Sequence, residues 1–166
     1  TSTKKALLNK DFRQALAFAV DRKAGISQVF GDEVGPRKLR TSFTPPTFVQ
    51  VGDQTFGQVT KTELDKLDNV WKDVSLDDAQ DSLHSVDKAK AKFEAAKKTL
   101  QAEGVQFPIH LDLPISSSNP DFIRQVQSYK QSIEEALGSD NVVVDIQQVS
   151  DDELGSMTTL ATSNAN

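Results

Sequence analysis

The chain has 166 residues, a formal net charge of -5 and no cysteine. That length suits one domain. The acidic balance disfavours a nucleic-acid surface, which needs a basic patch, and the lack of Cys excludes disulfides and thiol nucleophiles.

No apolar run is long enough to span a bilayer, and no secretory signal is visible. Absence of Cys is compatible with a Gram-positive cell surface as well as with cytosol. The chain starts at Thr1 and ends in a polar tail, Thr162–Asn166. Only two strands are convincing, and a parallel sheet is normally wider than that. The expectation is a cut piece of a larger protein: residues 1–166 as a single partial domain.

Lys10 to Phe30 reads as helix. Phe12, Ala15, Leu16, Ala19 and Val20 form one apolar stripe. Asp21 caps a second segment that Gly31 stops, so a break falls near Asp21. Gly25 weakens that segment by about 1 kcal/mol relative to Ala. Residues 32 to 57 read as a loop with Gly35-Pro36, Pro45-Pro46 and Gly52-Asp53, and with a short strand near Thr47 to Val51. Thr60-x-x-Glu63 is a capping box, followed by Leu64, Leu67, Val70 and Trp71 at helical spacing. Ser75 is expected to cap a short helix to about Leu83, and Asp87 a longer one that Gly104 ends.

Phe107 to Val149 reads strand, helix, strand. Apolar residues alternate from Ile109 to Leu113. Asn119-Pro120 opens a helix of about five turns. Its apolar face is Phe122, Val126, Tyr129, Ile133 and Leu137, and Gly138 stops it. Val142, Val144 and Ile146 share one face of the second strand. Such a βαβ unit has parallel strands and a right-handed crossover. The fold class is therefore mixed α/β and helix-rich. Ser150-x-x-Glu153 is a second capping box, and Leu154, Met157 and Ala161 suggest a last helix that frays into the tail.

Catalysis finds little footing. His110 lies on the strand face opposite Ile109 and Leu111, where a lone His is usually structural. His84 sits in a polar connection. No nucleophile elbow, zinc-protease helix or phosphate loop occurs. The acidic clusters Asp77-Asp78, Asp81 and Asp151-Asp152-Glu153 fit helix starts, where the dipole favours carboxylates. None has the calcium-loop pattern. No catalytic residue, metal ligand or cofactor is assigned.

The ligand candidate is the turn after the first strand of the βαβ unit. It follows a parallel strand's carboxyl end and precedes a helix N-terminus, where ligands collect in open α/β sheets. Its Ser116, Ser117, Ser118 and Asn119, with Arg124 one turn into the helix, offer NH groups, hydroxyls and a cation to a carboxylate or to peptide oxygens. A plain polar connection is the alternative.

Asn9-Lys-Asp-Phe-Arg-Gln-Ala-Leu-Ala-Phe-Ala-Val-Asp-Arg22, then Gly31, then Phe43-Thr-Pro-Pro46, resembles the dipeptide/oligopeptide-binding family of extracellular solute-binding proteins that serve ABC importers. Trp71-Lys-Asp73, Glu103-Gly-Val-Gln-Phe-Pro-Ile-His-Leu-Asp112 and Lys130-Gln-Ser132 are similar to its streptococcal lipoprotein members. The resemblance implies the first part of the second lobe of a two-lobed, periplasmic-binding-protein-like fold. It maps the family's cleft turn onto Ile115 to Asn119. It implies oligopeptides, ABC permease subunits and the remaining lobe of the same protein as partners, with no nucleic acid. It also implies the outer face of the cell membrane as the location, through a lipid anchor outside this segment. The family's first lobe and its later Trp-containing segment, whose Asp pairs with the peptide amino group, likewise lie outside these residues. The rival classes are a non-enzymatic protein-interaction module and, further off, a carboxylate-using hydrolase.

Overall fold

The computed structural model describes residues 1–164; the last two residues of the polar tail lie outside that range. In chain order the elements are α1 (Ser2–Leu8), α2 (Lys10–Ala19), α3 (Arg22–Val34), β1 (Gln50–Val51), β2 (Gln54–Thr55), α4 (Phe56–Leu67), α5 (Val86–Ala102), β3 (Ile109–Ser116), α6 (Pro120–Leu137), β4 (Val142–Val149) and α7 (Asp151–Asn164). Short 3-10 turns follow α3 and α4.

β3 and β4 pair in parallel, with register running from Ile109 opposite Val142 to Ser116 opposite Val149. Ile109 N–H donates to Asn141 O and Ser117 N–H to Val149 O, each at 2.8 Å. Odd residues of β4 therefore face β3, and even ones face the outer edge. At that edge α6 supplies both partners of Val144. Glu134 Oε1 accepts its N–H at 2.9 Å, and Lys130 Nζ donates to its carbonyl at 2.8 Å. These two side chains also pair with each other. Edge strands left bare invite unwanted pairing, and here the crossover helix answers the edge at Val144.

One sheet face is apolar and lies under the helices. Ile109, Val142 and Val144 join Phe12, Phe18, Phe93, Leu100, Ile133 and Leu137 in the core. Phe93 sits between two rings, Phe12 with centroids 6.3 Å apart and Phe107 at 6.2 Å edge-on. The opposite face carries His110, Asp112 and Asp145. His110 Nδ1 meets Asp145 at 2.7 Å in the open.

The break near Asp21 is present, and Asp21 Oδ1 accepts Ala24 N–H as the α3 cap. Gly31 holds φ +74, kinking the helix without ending it. Gly25 has a packing role that its propensity hides: a Cβ there would overlap the Tyr129 ring of α6. Gly104 and Gly138 take the positive φ expected of helix stops.

Several expectations are corrected. Asn9 caps α2 after a first short helix, α1, that the sequence reading omitted. The capping box of α4 is Thr55 with Gln58, not Thr60 with Glu63. Two successive boxes competed, and tertiary contact chose the earlier one: Gly57 N–H donates to Pro46 O at 2.8 Å, and a side chain at Gly57 would strike Pro46. Ser75 caps no helix. Its Oγ accepts Asp77 N–H in an irregular connection that Ser82 pins by bonding Ser75 O. Ser85, not Asp87, caps α5. Phe107 precedes β3, which starts at Ile109 and runs on to Ser116. Of the apolar face read for the helix after Asn119, Val126 and Ile133 are buried, Tyr129 is half-buried and Phe122 is exposed; Phe93 and Leu100 of α5 are buried too. Phe122 is in the first turn of α6, beyond the reach of the core.

Candidate functional site

The parallel register brings the carboxyl ends of β3 and β4 to one edge. Two helix starts follow there, α6 after the turn 117–119 and α7 after Ser150. Partial positive charge from both helix N-termini gathers at this edge.

Asn119 caps α6, its Oδ1 accepting Phe122 N–H at 3.0 Å. Ser150 does the same for α7, with Glu153 N–H donating to its Oγ at 3.2 Å. Arg124 Nη2 donates to Asp121 Oδ1 at 2.5 Å, so its charge is locally answered. Ser116 is half-buried at the strand end, while Ser117, Ser118, Asn119 and Arg124 are exposed. The five predicted residues thus share one edge.

Asp151, expected only as a helix-start carboxylate, joins them at this edge. The Ser116 hydroxyl donates to its carboxylate, and Ser118 Oγ lies 3.0 and 3.2 Å from its two oxygens. Ser116 and Ser118 also touch each other through Oγ at 2.7 Å. Each hydroxyl has one proton. Ser116 gives its proton to Asp151, and Ser118 gives its own to Asp151 or to Ser116. Neither proton points outward.

Two backbone donors of the turn are engaged as well. Ser117 N–H goes to Val149 O and Ser118 N–H to Ser116 Oγ at 3.1 Å. The two hydroxyls are thus turned on the chain's own carboxylate, and these two N–H groups on its own oxygens. The Ser116 hydroxyl, then that of Ser118, hold the Asp151 carboxyl below the usual carboxylate range, against a smaller opposing effect of burial. A partial signal for Asp151 was available: a parallel βαβ unit brings the ends of both strands to one edge, and Asp151 stands two residues after Val149, the partner of Ser116.

The other acidic clusters are structural. Asp81 takes Arg22 N–H at 2.7 Å and its guanidinium at 3.3 Å, and Asp78 lies 3.6 Å from Arg40. Asp68 accepts Val70 N–H, which lowers its pKa more than Lys92 or Lys10 does. Among the described residues no group of three His, Asp or Glu is placed to hold a metal.

Helices over a parallel strand pair with an open edge at the strand ends make a helix-rich, mixed α/β fold of the periplasmic-binding type. The fold agrees with a solved structure titled as the peptide-binding protein of a peptide ABC transporter, at TM-score 0.55 and 22% identity over 96% of this chain and 59% of that one. Residues 1–165 match the middle region of the bacterial extracellular solute-binding proteins, family 5, and the chain belongs to that family. It is 53% identical over 165 residues to the oligopeptide-binding protein SarA of Streptococcus gordonii, covering 99% of this chain and 25% of that protein. It is also 53% identical over 160 residues to AliA of Streptococcus pneumoniae (96% of this chain, 24% of AliA) and 51% identical over 157 to AmiA (95% and 24%), both named oligopeptide-binding proteins. The chain spans about a quarter of the length of these relatives.

Proposed function

We propose that the protein to which this segment belongs captures oligopeptides outside the cell and hands them to the permease subunits of an ABC importer. The observation that carries this reading is 53% identity over 99% of the chain to an oligopeptide-binding protein. Residues 1–166 form the first part of its second lobe, and the remaining lobe closes over the ligand by a hinge motion. Binding is non-covalent and non-enzymatic: the acidic clusters that suggested a hydrolase are engaged with Arg22, Arg40 and two serines. A lipid anchor outside this segment holds the protein to the outer face of the membrane.

In this reading Ser116, Ser117, Ser118, Asn119 and Arg124 line the cleft. Ser116 and Ser118 shape the wall through Asp151, and Ser117, Asn119 and the carbonyls of the turn meet the peptide. Main-chain hydrogen bonds supply affinity and loose pockets tolerate varied side chains.

Titration calorimetry with mixed tetra- to octapeptides tests this. The intact protein should give heat and residues 1–166 alone none. A peptide on one open wall loses at least about 4 kcal/mol of translational and rotational freedom. A few hydrogen bonds of about 1 kcal/mol net each barely offset that. A flat titration for the intact protein counts against peptide capture. Micromolar binding by the segment, abolished by Ser116→Ala with Ser118→Ala, would show a self-contained site and overturn its placement as one lobe of two.

A further inference from the structure

α7 is weakly held. It is exposed along most of its described length, with only Leu154 and Met157 half-buried. Gly155, Ser156, Thr158 and Thr159 lower its intrinsic propensity. Ser156, Thr158 and Thr159 donate to carbonyls of the same helix, at Asp152, Leu154 and Gly155. One polar tie of its first turn to the body is the carboxylate of Asp151, on Ser116 at the end of β3 and Ser118 in the turn that follows.

We propose that Asp151 is a positioning residue: its carboxylate clasps the β3–α6 turn to the first turn of α7, so that the two helix starts at the sheet edge are ordered together. The clasp joins residues 35 and 33 positions apart. It turns both serine hydroxyls inward, which fixes which face of the turn remains outward at Ser117 and Asn119. That Ser117 and Asn119 meet a peptide rests on the reading above; the clasp does not.

Amide hydrogen exchange by NMR on residues 1–166, with no ligand, separates the two. Asp151→Asn weakens the clasp, and Ser118→Ala removes one arm while sparing the Ser116 acceptor of Ser118 N–H. Each should speed exchange at least threefold both in residues 117–123 and in residues 151–158. The double variant should be little faster than either single one, because the two changes break one unit. Asp152→Asn is the control: it removes the same charge from the same helix start without touching the clasp, and the turn should not respond. Asp151→Glu should restore part of the protection of the turn. Faster exchange confined to α7, an equal response to Asp152→Asn, or effects of Asp151→Asn and Ser118→Ala that simply multiply would overturn the proposal. Failure of the peptide titration with the clasp intact would leave this inference standing and remove the cleft reading alone.

Discussion

Gly25→Ala sets helix propensity against packing and gives them opposite signs. Propensity alone makes the change stabilising by about 0.8–1 kcal/mol. Gly25 is buried in α3, however, and its missing side chain is the space in which the Tyr129 ring sits. The nearest ring atoms are Cε1, Cδ1 and Cζ, so the flat of the ring and not a flexible tip must move. Tyr129 is half-buried, and its hydroxyl accepts Gln125 Nε2 at 2.7 Å. Overpacking at such a contact costs about 1–3 kcal/mol. The net expectation is a loss of up to about 2 kcal/mol, or up to roughly 4–8 °C in Tm for a domain of this size. Thermal unfolding followed by circular dichroism measures it. Tyr129→Ala should then invert the sign: in that background Gly25→Ala should be neutral or stabilising. A Tm that rises on Gly25→Ala in the parent sequence, or a penalty that persists without the Tyr129 ring, would refute the close-approach account.

Phe93→Ala should cost about 3–5 kcal/mol in chemical denaturation, because the ring is 2% exposed and contacts both Phe12 and Phe107. Glu134→Ala leaves the N–H of Val144 without its acceptor. We expect a loss of about 1 kcal/mol and faster exchange at the Val144 amide than at Val143. The Asp151 carboxyl is depressed by the Ser116 and Ser118 hydroxyls. A depressed pKa contributes stability that is present above the unfolded value of 3.8 and is lost as pH falls through the lower folded value. Carbon NMR titration should find the Asp151 midpoint below that of ordinary aspartates, and Ser116→Ala with Ser118→Ala should raise it.

Local chemistry was legible wherever one residue type satisfies one backbone need. Asp21 and Asn119 cap helices, and Gly104 and Gly138 take positive φ. The period of two in both strands and the helix between them determined a parallel βαβ unit and its buried faces. The positions of Ser116 to Asn119 at the strand ends followed from that topology. Tertiary structure decided what spacing leaves degenerate. Two capping boxes follow one another near the start of α4, and the contact of Gly57 with Pro46 selected the first. Asp87 and Ser85 were both able to cap α5, and the path of the chain favoured Ser85, whose N–H reaches Phe18 O at 2.9 Å. Gly25 looked like a weakness because propensity counts only the helix it sits in, while its use lies in Tyr129, 104 positions further along the chain. Asp151 looked like a helix-dipole carboxylate for the same reason. Its partners are distant in sequence, and only the parallel register, by carrying both strand ends to one edge, brings them within hydrogen-bond reach.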